Sequence, residues 1–268
     1  MNLSNIGIIG SRGRLGQELV KRGCLPLEFD VIKPFAIESN KLDVLVNCVG
    51  FTDVDECENQ IFKAYKVNAF APRRLRLAWP KDKLFVHISS DYIFDGINGP
   101  YGEDARACPL GTYGFSKWLG EVGLQDLENV LIIRTTILYD TGPKNNFVLS
   151  VYNDLKNNKS TRAPKILSGS PTYIQHLVDG ILNAIEKRIN GIINIAGSTV
   201  CSRYELALFV SKAFGFDSTL VDDNPTWGIA RRPMNAGLRV DKAVSLKIPI
   251  YDLYDGLQAF KKVIITNE

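Results

Sequence analysis

The amino-acid sequence predicts an α/β fold with a doubly wound parallel sheet, followed by a smaller C-terminal region. Short apolar runs typical of strands occur at residues 6–9, 43–49, 84–89 and 130–135. Helical stretches alternate with them at residues 15–22, 60–77 and 113–124. A glycine-rich turn joins the first strand to the first helix. Because such alternation marks βαβ units, we expect parallel strands with helices packed on the sheet.

After residue 142 the pattern loosens into Asn, Lys, Pro and Ser sequence and then resumes with a helix near 173–187 and a strand near 192–196. We therefore divide the chain into residues 1–142, which carry the sheet, and residues 143–268, which form mainly a second region. Some of its segments are expected to return to the first domain.

Composition excludes several classes of protein. The 268 residues are 45% hydrophobic, which is ample for a globular core, and the net charge of +3 comes from dispersed basic residues, so we expect no nucleic-acid partner. No apolar run approaches the ~18 residues of a membrane helix, and the first residues do not resemble a signal peptide. Five scattered cysteines and two histidines predict neither a disulfide scaffold nor a histidine metal site. A cytoplasmic protein is the simplest expectation.

The glycine-rich turn has the pattern GxxGxxG and opens the first helix. In this position the glycines allow a tight turn and let backbone N–H groups approach a pyrophosphate at the helix N-terminus. The turn therefore predicts a Rossmann-type domain that binds NAD(P). The candidate cofactor-binding residues in it are Gly10, Ser11, Arg12, Gly13, Arg14, Leu15 and Gly16.

The choice between the two nicotinamide cofactors is less clear. An acidic residue about 20 positions after the loop usually holds the adenosine ribose, and Asp30 is the candidate. However, residues 24–30 leave little room for a full second strand before it. Since Arg12 and Arg14 could pair with a 2′-phosphate, we favour NADPH and keep NADH as the alternative.

A catalytic group is predicted where a strand ends at Ser90 and a helix begins with the motif YxxxK. Tyr113 and Lys117 are four residues apart and share one helix face, so the ammonium group could lower the phenol pKa from about 10. Ser90 lies at the carboxyl end of a parallel strand, where open α/β sheets bind ligands. We expect Ser90 and Tyr113 to contact one substrate oxygen and Lys117 to contact the nicotinamide ribose as well.

These residues belong to a longer set of motifs that resembles the dTDP-4-dehydrorhamnose reductase family of extended short-chain dehydrogenases/reductases. Besides the glycine loop, the matching stretches are NCVGFTDVDECE (47–58), VNAFAP (67–72), HISSDYIFDG (87–96), GPYGEDARACPLGTYGFSKWLGE (99–121), NNF (145–147), SPTY (170–173) and ARRPMNAGL (230–238). The resemblance implies NAD(P)H-dependent reduction of the 4-keto group of a nucleotide-activated 6-deoxysugar, with dTDP-4-dehydro-L-rhamnose as the expected substrate.

The resemblance also implies roles for further residues. Asn68 is expected to support the hydrogen-bond network of the active site and to be among the cofactor-binding residues, with a polar bond to neighbouring backbone as the other interpretation. Asp91, Asn146 and Arg232 are expected to contact the substrate together with Ser90 and Tyr113. Arg232 is the candidate for the diphosphate, with an ordinary surface residue as the alternative. The C-terminal region would then be the substrate-binding region. Family members can bind magnesium at a dimer interface, but no residue cluster here leads us to name a metal site.

Departures from the family pattern affect the expected substrate more than the chemistry. Tyr92 stands where sugar-nucleotide 4,6-dehydratases carry a glutamate, so keto reduction is favoured over loss of water. Residues 134–137 read Arg-Thr-Thr-Ile where the family commonly reads Arg-Thr-Ser-Trp, which removes an aromatic ring. Residues 162–167 also lack the usual Asp-Gln-Phe-Gly stretch. A related 4-keto-deoxysugar is therefore an alternative substrate.

Two readings from other functional classes stay open. The regulatory subunit of methionine adenosyltransferase shares this resemblance without catalysis, and a sugar epimerase would keep its cofactor bound and return the hydride. The intact set of Ser90, Tyr113 and Lys117 favours an enzyme. The oligomeric state is left open, with a homodimer as one option.

Overall fold

The computed structural model describes residues 1–28, 41–224 and 228–267. Within them the strands are β1 (Ile6–Ile9), β2 (Leu25–Leu27), β3 (Val44–Asn47), β4 (Leu84–Ser90), β5 (Val130–Thr135), β6 (Leu138–Tyr139), β7 (Thr161–Arg162), β8 (Ser168–Gly169), β9 (Thr172–Tyr173), β10 (Gly191–Asn194), β11 (Cys201–Ser202) and β12 (Val221–Asp222).

The helices of the described residues connect these strands. They are α1 (Arg14–Lys21), α2 (Val54–Asn59), α3 (Ile61–Ala64), α4 (Ala71–Ala78), α5 (Thr112–Val122), α6 (Phe147–Lys156), α7 (Ile174–Glu186), α8 (Arg203–Phe214), α9 (Asp241–Ser245) and α10 (Leu253–Asn267). A π-helical segment, Tyr65–Phe70, joins α3 to α4, and 3-10 turns lie at Leu3–Asn5, Asp91–Ile93 and Ser218–Leu220.

The central sheet is six-stranded in the order β10-β5-β4-β3-β1-β2, and every pairing in it is parallel. The chain leaves β1 towards one edge of the sheet, to β2, and then returns to the other side of β1, to β3. That reversal is the topological switch point at which open α/β sheets bind ligands. The predicted doubly wound parallel sheet is thus confirmed.

Register places the carboxyl ends of the inner strands at one edge. Ile9 lies opposite Asn47, which lies opposite His87, and Ser90 at the end of β4 lies opposite Thr135 at the end of β5. Because the strands are parallel, the loops that follow them converge on the same side of the sheet. This convergence positions the candidate site.

Separate apolar cores cover the two faces of the sheet. On one face α1 and α7 pack against β1, β3, β4 and β5, with Leu19 and Ile181 completely buried. On the other face Leu75 and Trp79 of the α4 segment pack against Phe85 and Ile132. All four residues of β1, all four of β3 and all six of β5 are buried. Strands covered on both faces read as continuous apolar runs, which is why the sequence revealed them.

A third core lies in the later part of the chain. It is formed where α6, α8 and α10 pack together, with Val151, Leu206 and Phe260 fully buried. By contrast, α7 and β10 also come after residue 142 but belong to the central sheet and its covering layer. The boundary between residues 142 and 143 itself stays a prediction.

One element agrees with the sequence-based expectation and another differs from it. The second strand, β2, is three residues long and pairs, among the described residues, with β1, so it is the short edge strand that the limited room in residues 24–30 indicated. The helix expected over residues 60–77 is divided by the π-helical segment that precedes Pro72. In the part of the chain that the structure describes, no helix is long and apolar enough to span a membrane.

Candidate active site

A cleft of about 490 Å³ opens at the carboxyl edge of the sheet, between the loops after the strands and the later part of the chain. Its walls come from the glycine loop, the ends of β3, β4 and β5, helix α5 and the start of α8. The lining residues include Gly13, Arg14, Leu15, Cys48, Gly50, Ser90, Asp91, Tyr92, Tyr113, Lys117, Thr136, Ile137, Ser168, Arg203 and Pro233.

The glycine loop brings backbone close to backbone at one end of this cleft. Gly10 has a φ of +82°, and a Cβ there would lie 2.8 Å from the carbonyl carbon of Cys48. The N–H of Gly13 donates to the carbonyl oxygen of Gly10 at 2.9 Å, which closes the turn. A Cβ at Gly16 would overlap that same oxygen. Glycine is therefore required at positions 10 and 16 for this tight packing, and α1 begins directly after the turn with its N-terminus at the cleft, where a helix favours an anion such as a pyrophosphate.

Both arginines of the loop have carboxylate partners in the structure. Arg14 donates to Oδ1 of Asp140 at 2.8 Å, and both side chains of this pair are largely buried. Arg12 pairs with Glu28 at 2.5 Å, but both of these side chains are almost fully exposed. Exposed pairs exchange partners readily, so Arg12 is the more available of the two for a phosphate. Asp30 lies outside the described residues.

Ser90 ends β4, Asp91 begins the 3-10 turn that follows, and both line the cleft. The Ser90 hydroxyl donates to Oδ1 of Asp91 at 3.0 Å, and Thr136 donates to Oδ2 at 2.6 Å. Burial raises the pKa of Asp91 to about 6, although these two hydrogen bonds and the charge of Arg203 oppose the shift. Asp91 is thus a buried carboxyl group whose pKa lies well above that of an exposed aspartate.

Tyr113 and Lys117 project from the first turns of α5 into the same cleft, and both are more than nine-tenths buried. Lys117 donates to the carbonyl oxygen of Ile88 at 2.6 Å, and burial lowers its pKa to about 8. The expected lowering of the Tyr113 pKa is wrong for this structure. Burial raises the pKa of Tyr113, and the neighbouring Ser90 hydroxyl only partly opposes it. The phenol therefore keeps its proton at neutral pH.

Asn68 lies beneath the cleft and is completely buried. Its side chain accepts from the N–H of Phe51 at 2.8 Å and donates to the Phe51 carbonyl at 2.9 Å and to Oγ of Ser116 at 3.0 Å. Ser116 in turn donates to the carbonyl oxygen of Tyr113 at 2.8 Å. Asn68 therefore ties the loop after β3 to α5 through backbone contacts, and it does not itself line the cleft.

Tyr92 and Ile137 shape the cleft around the catalytic group. The ring of Tyr92 meets that of Tyr113 edge to face, with 5.3 Å between centroids. Tyr92 therefore packs on the phenol where a second carboxylate would be needed for elimination. Ile137 has a φ of +45°, which is rare for a β-branched residue and marks local backbone strain. Both residues lie in the wall that a substrate would contact.

The structure does not bring two of the expected substrate residues into the cleft. Asn146 caps the N-terminus of α6, where its side chain accepts from the N–H of Leu149 at 3.0 Å and donates to the Asp140 carbonyl at 2.8 Å. Arg232 donates to Oδ2 of Asp55 at 2.5 Å and to the Ala230 carbonyl at 3.0 Å. Neither side chain lines the cleft, so their predicted contacts with substrate do not follow from this geometry.

Sequence reasoning missed Thr136 and Arg203. Thr136 donates to the Asp91 carboxyl group, and Arg203 lines the cleft. Ser202 and Glu205 form the S-x-x-E capping box, which could have indicated the start of α8. That motif does not identify Arg203 as a site residue.

The arrangement as a whole is suited to protonating an oxygen. A protonated phenol and a serine hydroxyl lie on one wall, an ammonium group lies on the next turn of the same helix as the phenol, and a glycine loop borders the other end. Within the described ranges, no group of three or more His, Cys, Asp or Glu side chains is arranged to hold a metal ion.

Comparison with known proteins adds the family. The family model described as RmlD substrate binding domain matches residues 4–263. The dTDP-4-dehydrorhamnose reductase of Mycobacterium tuberculosis is 31% identical over 229 residues, 78% of this chain and 75% of that protein. Methionine adenosyltransferase 2 subunit beta of Pongo abelii is 32% identical over 220 residues, 76% of this chain and 65% of that protein. Across five curated relatives, the aligned segments span 64% to 75% of each relative's own length.

A solved structure agrees with these sequence matches. The dTDP-4-dehydrorhamnose reductase of Bacillus anthracis in complex with NADP superposes with a TM-score of 0.86 at 25% identity, covering 95% of this chain and 97% of that one. The chain belongs to the RmlD substrate binding domain family, and the predicted membership of the dTDP-4-dehydrorhamnose reductase family is confirmed.

Proposed function

We propose that this chain is an NAD(P)H-dependent oxidoreductase that reduces the 4-keto group of a nucleotide-activated 6-deoxysugar. The observation that carries the proposal is one continuous cleft that joins the glycine loop to Ser90, Tyr113 and Lys117. Because similar proteins are named dTDP-4-dehydrorhamnose reductase, the substrate to test first is dTDP-4-dehydro-L-rhamnose, which would be reduced to dTDP-L-rhamnose.

The residues of the chain account for the proton half of this reaction. Ser90 and Tyr113 hold the carbonyl oxygen by hydrogen bonds and thereby polarise the carbon that is reduced. Tyr113 gives its proton to that oxygen, and since burial raises its pKa, the proton is present at neutral pH. Lys117 stabilises the phenolate that forms. A bound nicotinamide supplies the hydride that the carbon accepts.

The glycine loop and Lys117 are the groups that would hold the cofactor. Glycine at positions 10 and 16 keeps the turn tight, since a Cβ at either position would meet backbone atoms. The N-terminus of α1, which follows the turn, is the part that would bind the pyrophosphate. Lys117 would orient the nicotinamide ribose next to Tyr113. NADPH is our preferred cofactor, because the exposed Arg12 can exchange Glu28 for a 2′-phosphate. NADH is the alternative cofactor, and because it has no 2′-phosphate, Arg12 would make no such contact with it.

The side chain that follows Asp91 favours reduction over elimination of water. Elimination of water needs an acid and a base besides hydride transfer, and Tyr92 fills the position next to the buried Asp91 with an aromatic ring. Reduction is therefore favoured over elimination. The side chain of Ile137, which has a strained backbone, is smaller than a tryptophan ring at the same position of the cleft wall. Because this changes the shape of the cleft, a related NDP-4-keto-deoxysugar is the first alternative substrate.

The test is steady-state oxidation of NADPH and of NADH with dTDP-4-dehydro-L-rhamnose, using Tyr113→Phe as the key variant. Loss of the proton donor should lower kcat at least about 100-fold, the usual contribution of general acid catalysis. The Kd of the cofactor should stay unchanged. Tyr65→Phe is a matched control, since Tyr65 contacts Phe115 outside the cleft, and it should retain full activity.

Full activity of Tyr113→Phe would refute the catalytic assignment. A folded wild-type protein that binds cofactor but oxidises none with any 4-keto-deoxysugar would instead favour the non-catalytic reading, to which the similarity to methionine adenosyltransferase 2 subunit beta points. Nicotinamide that stays bound through purification and is not consumed would favour an epimerase.

A further inference from the structure

Arg203 has a rigidly defined position at the start of α8. Its backbone N–H donates to the carbonyl oxygen of Leu167 at 2.8 Å, next to the antiparallel pairing of β11 with β8. Ser202 and Glu205 form a capping box that fixes the first turn of the helix. The backbone from which the Arg203 side chain projects is therefore held from both sides.

The guanidinium group of Arg203 has an aromatic contact in the protein, but one of its N–H donors lacks an acceptor among the described residues. It stacks over the ring of Phe147, 4.8 Å from the centroid, and it lines the cleft. Its Nη1 atom is buried and has no hydrogen-bond partner among the described residues. A buried donor without an acceptor is costly, and a guanidinium cannot lose its charge to avoid that cost.

The other cations that line the cleft have acceptors within the protein. Lys117 donates to the Ile88 carbonyl, Arg14 to Asp140, and Lys144 to the Arg12 carbonyl at 3.5 Å. The groups that act electrostatically on Arg203 are Tyr92, Asp91 and Cys201, and both oxygens of the Asp91 carboxyl group already accept from hydroxyl groups. Arg203 thus lines the cleft and carries a buried donor that has no acceptor among the described residues.

We propose that the Arg203 guanidinium binds the diphosphate of the nucleotide-sugar substrate. This inference rests on the proposed function, because in such a substrate the diphosphate is the anionic part and the sugar and nucleoside are neutral. Guanidinium and phosphate oxygens match in geometry, and their hydrogen bonds are among the stronger ones in proteins. Arg203 takes the role expected of Arg232, whose guanidinium is directed to Asp55.

The position of Arg203 supports a specificity role as well as affinity. The wall on which it lies, with Leu167 and Ser168, is formed by the later part of the chain, whereas the glycine loop is formed by the first strand and helix. Two anion-binding groups on separate walls would keep the cofactor pyrophosphate and the substrate diphosphate apart. The sugar would then be held between Arg203 and the Ser90–Tyr113 pair.

The experiment is calorimetric titration of wild-type protein and variants with dTDP, and separately with thymidine and NADPH. Arg203→Met should raise the Kd for dTDP about 10- to 100-fold, which corresponds to about 1.5–3 kcal/mol for hydrogen bonds to a charged group. Arg203→Lys should lose less, since it keeps the charge. Binding of NADPH should be unchanged and would show that each variant is folded.

Lys165→Met is the matched control. Lys165 is also a cation stacked on an aromatic ring near the start of α8, 4.5 Å from the Tyr204 centroid, but it pairs with Asp223 and does not line the cleft. It should bind dTDP as the wild type does. A Kd for dTDP within twofold of wild type in Arg203→Met would overturn the inference, and so would an equal loss of thymidine binding.

The same titrations separate this inference from the proposed function. If wild-type protein binds dTDP through Arg203 yet reduces no keto-sugar, the reaction is wrong and the diphosphate contact stands. If it reduces the keto-sugar and Arg203→Met leaves both dTDP binding and KM unchanged, the contact alone is wrong. If wild-type protein neither binds dTDP nor reduces the keto-sugar, both are overturned.

Discussion

Asp91 controls which way the Ser90 hydroxyl can point. When Asp91 is ionised, the Ser90 proton is directed to Oδ1 of Asp91 and away from a substrate oxygen. When Asp91 is protonated, its carboxyl group can donate to Ser90 and free that proton. Because burial raises the pKa of Asp91 to about 6, the change from the charged to the neutral form occurs as pH falls through about 6.

We therefore expect kcat/KM of the wild type to rise as pH falls from 7 towards 5, the window in which Asp91 takes up its proton. Asp91→Asn, which is neutral at every pH, should lose this dependence while it keeps the Thr136 contact. The measurement is a pH–rate profile under subsaturating substrate, with Asp95→Asn as control, because Asp95 is bonded by Tyr101 away from the cleft. An unchanged inflection in Asp91→Asn would show that another group controls it.

The sequence predicted those residues of the cleft whose positions depend on local spacing along the chain. Tyr113 and Lys117 are four residues apart on a helix, so the motif alone places both on one face, and Ser90 is placed by the end of its strand. Arg203 and Asn146 depend on how α8 and α6 pack in three dimensions, and spacing along the chain carries no information about that. The raised pKa of Tyr113 likewise results from burial, which the motif does not report.

Among the secondary-structure elements, the first β–α turn carries the strictest demand on residue type. Gly16 lies in α1, and a Cβ there would overlap the carbonyl oxygen of Gly10 and lie 2.8 Å from Cα of Ser11. Since both neighbours are backbone, neither can rotate away. The packing of α1 against the turn that follows β1 therefore requires a residue without a side chain at position 16.

We expect Gly16→Ala to displace the turn, to weaken NADPH binding at least tenfold and to lower stability by about 1–3 kcal/mol, the usual cost of overpacking. Fluorescence titration with NADPH and urea unfolding measure the two effects. Gly123→Ala is the control, because Gly123 at the end of α5 has a φ of −65° and a Cβ there would make only ordinary contacts of 3.4 Å or more. Equal NADPH affinity in the two variants would refute the packing argument.

Elements were predictable where hydrophobic period and burial agree. The inner strands are apolar throughout because both faces of the sheet are covered, and the structure places them within about two residues of the sequence pattern. The helix over residues 60–77 was predicted as continuous, but Pro72 cannot donate to a helical bond, and the turn before it widens into the π-helical segment. A local propensity reading does not register that change of pitch.

At the scale of the whole molecule, one buried ion pair links regions that are far apart in sequence. Arg134 of β5 donates from Nη2 to Glu121 of α5 at 2.8 Å, and both side chains are almost fully buried. Its Nη1 donates to the carbonyl oxygen of Glu103 at 2.9 Å, and the Glu103 carboxylate accepts from the N–H of Asn194 in β10 at 2.9 Å. The network therefore joins α5, the helix that carries Tyr113 and Lys117, to β10 at the edge of the sheet.

Glu121→Ala would leave the Arg134 charge buried without its partner. We expect a loss of about 3–5 kcal/mol in the free energy of unfolding, as for other broken buried pairs, measured by urea denaturation. Asp126→Ala is the control, since Asp126 pairs with Arg73 at the surface and should change stability far less. Similar losses in the two variants would show that burial of the pair is not what stabilises it.

The pairing of β10 with β5 has a consequence for how the protein is made. A ribosome releases the chain from its N-terminus, so β5 emerges well before residues 191–194 that cover its free side. During that interval the nascent chain presents an unpaired, apolar strand edge of the kind that recruits other chains into aggregates. Synthesis that stalls after α7 would leave this edge open permanently, so completion of the sheet, and protection from aggregation, depend on translation continuing into the later part of the chain.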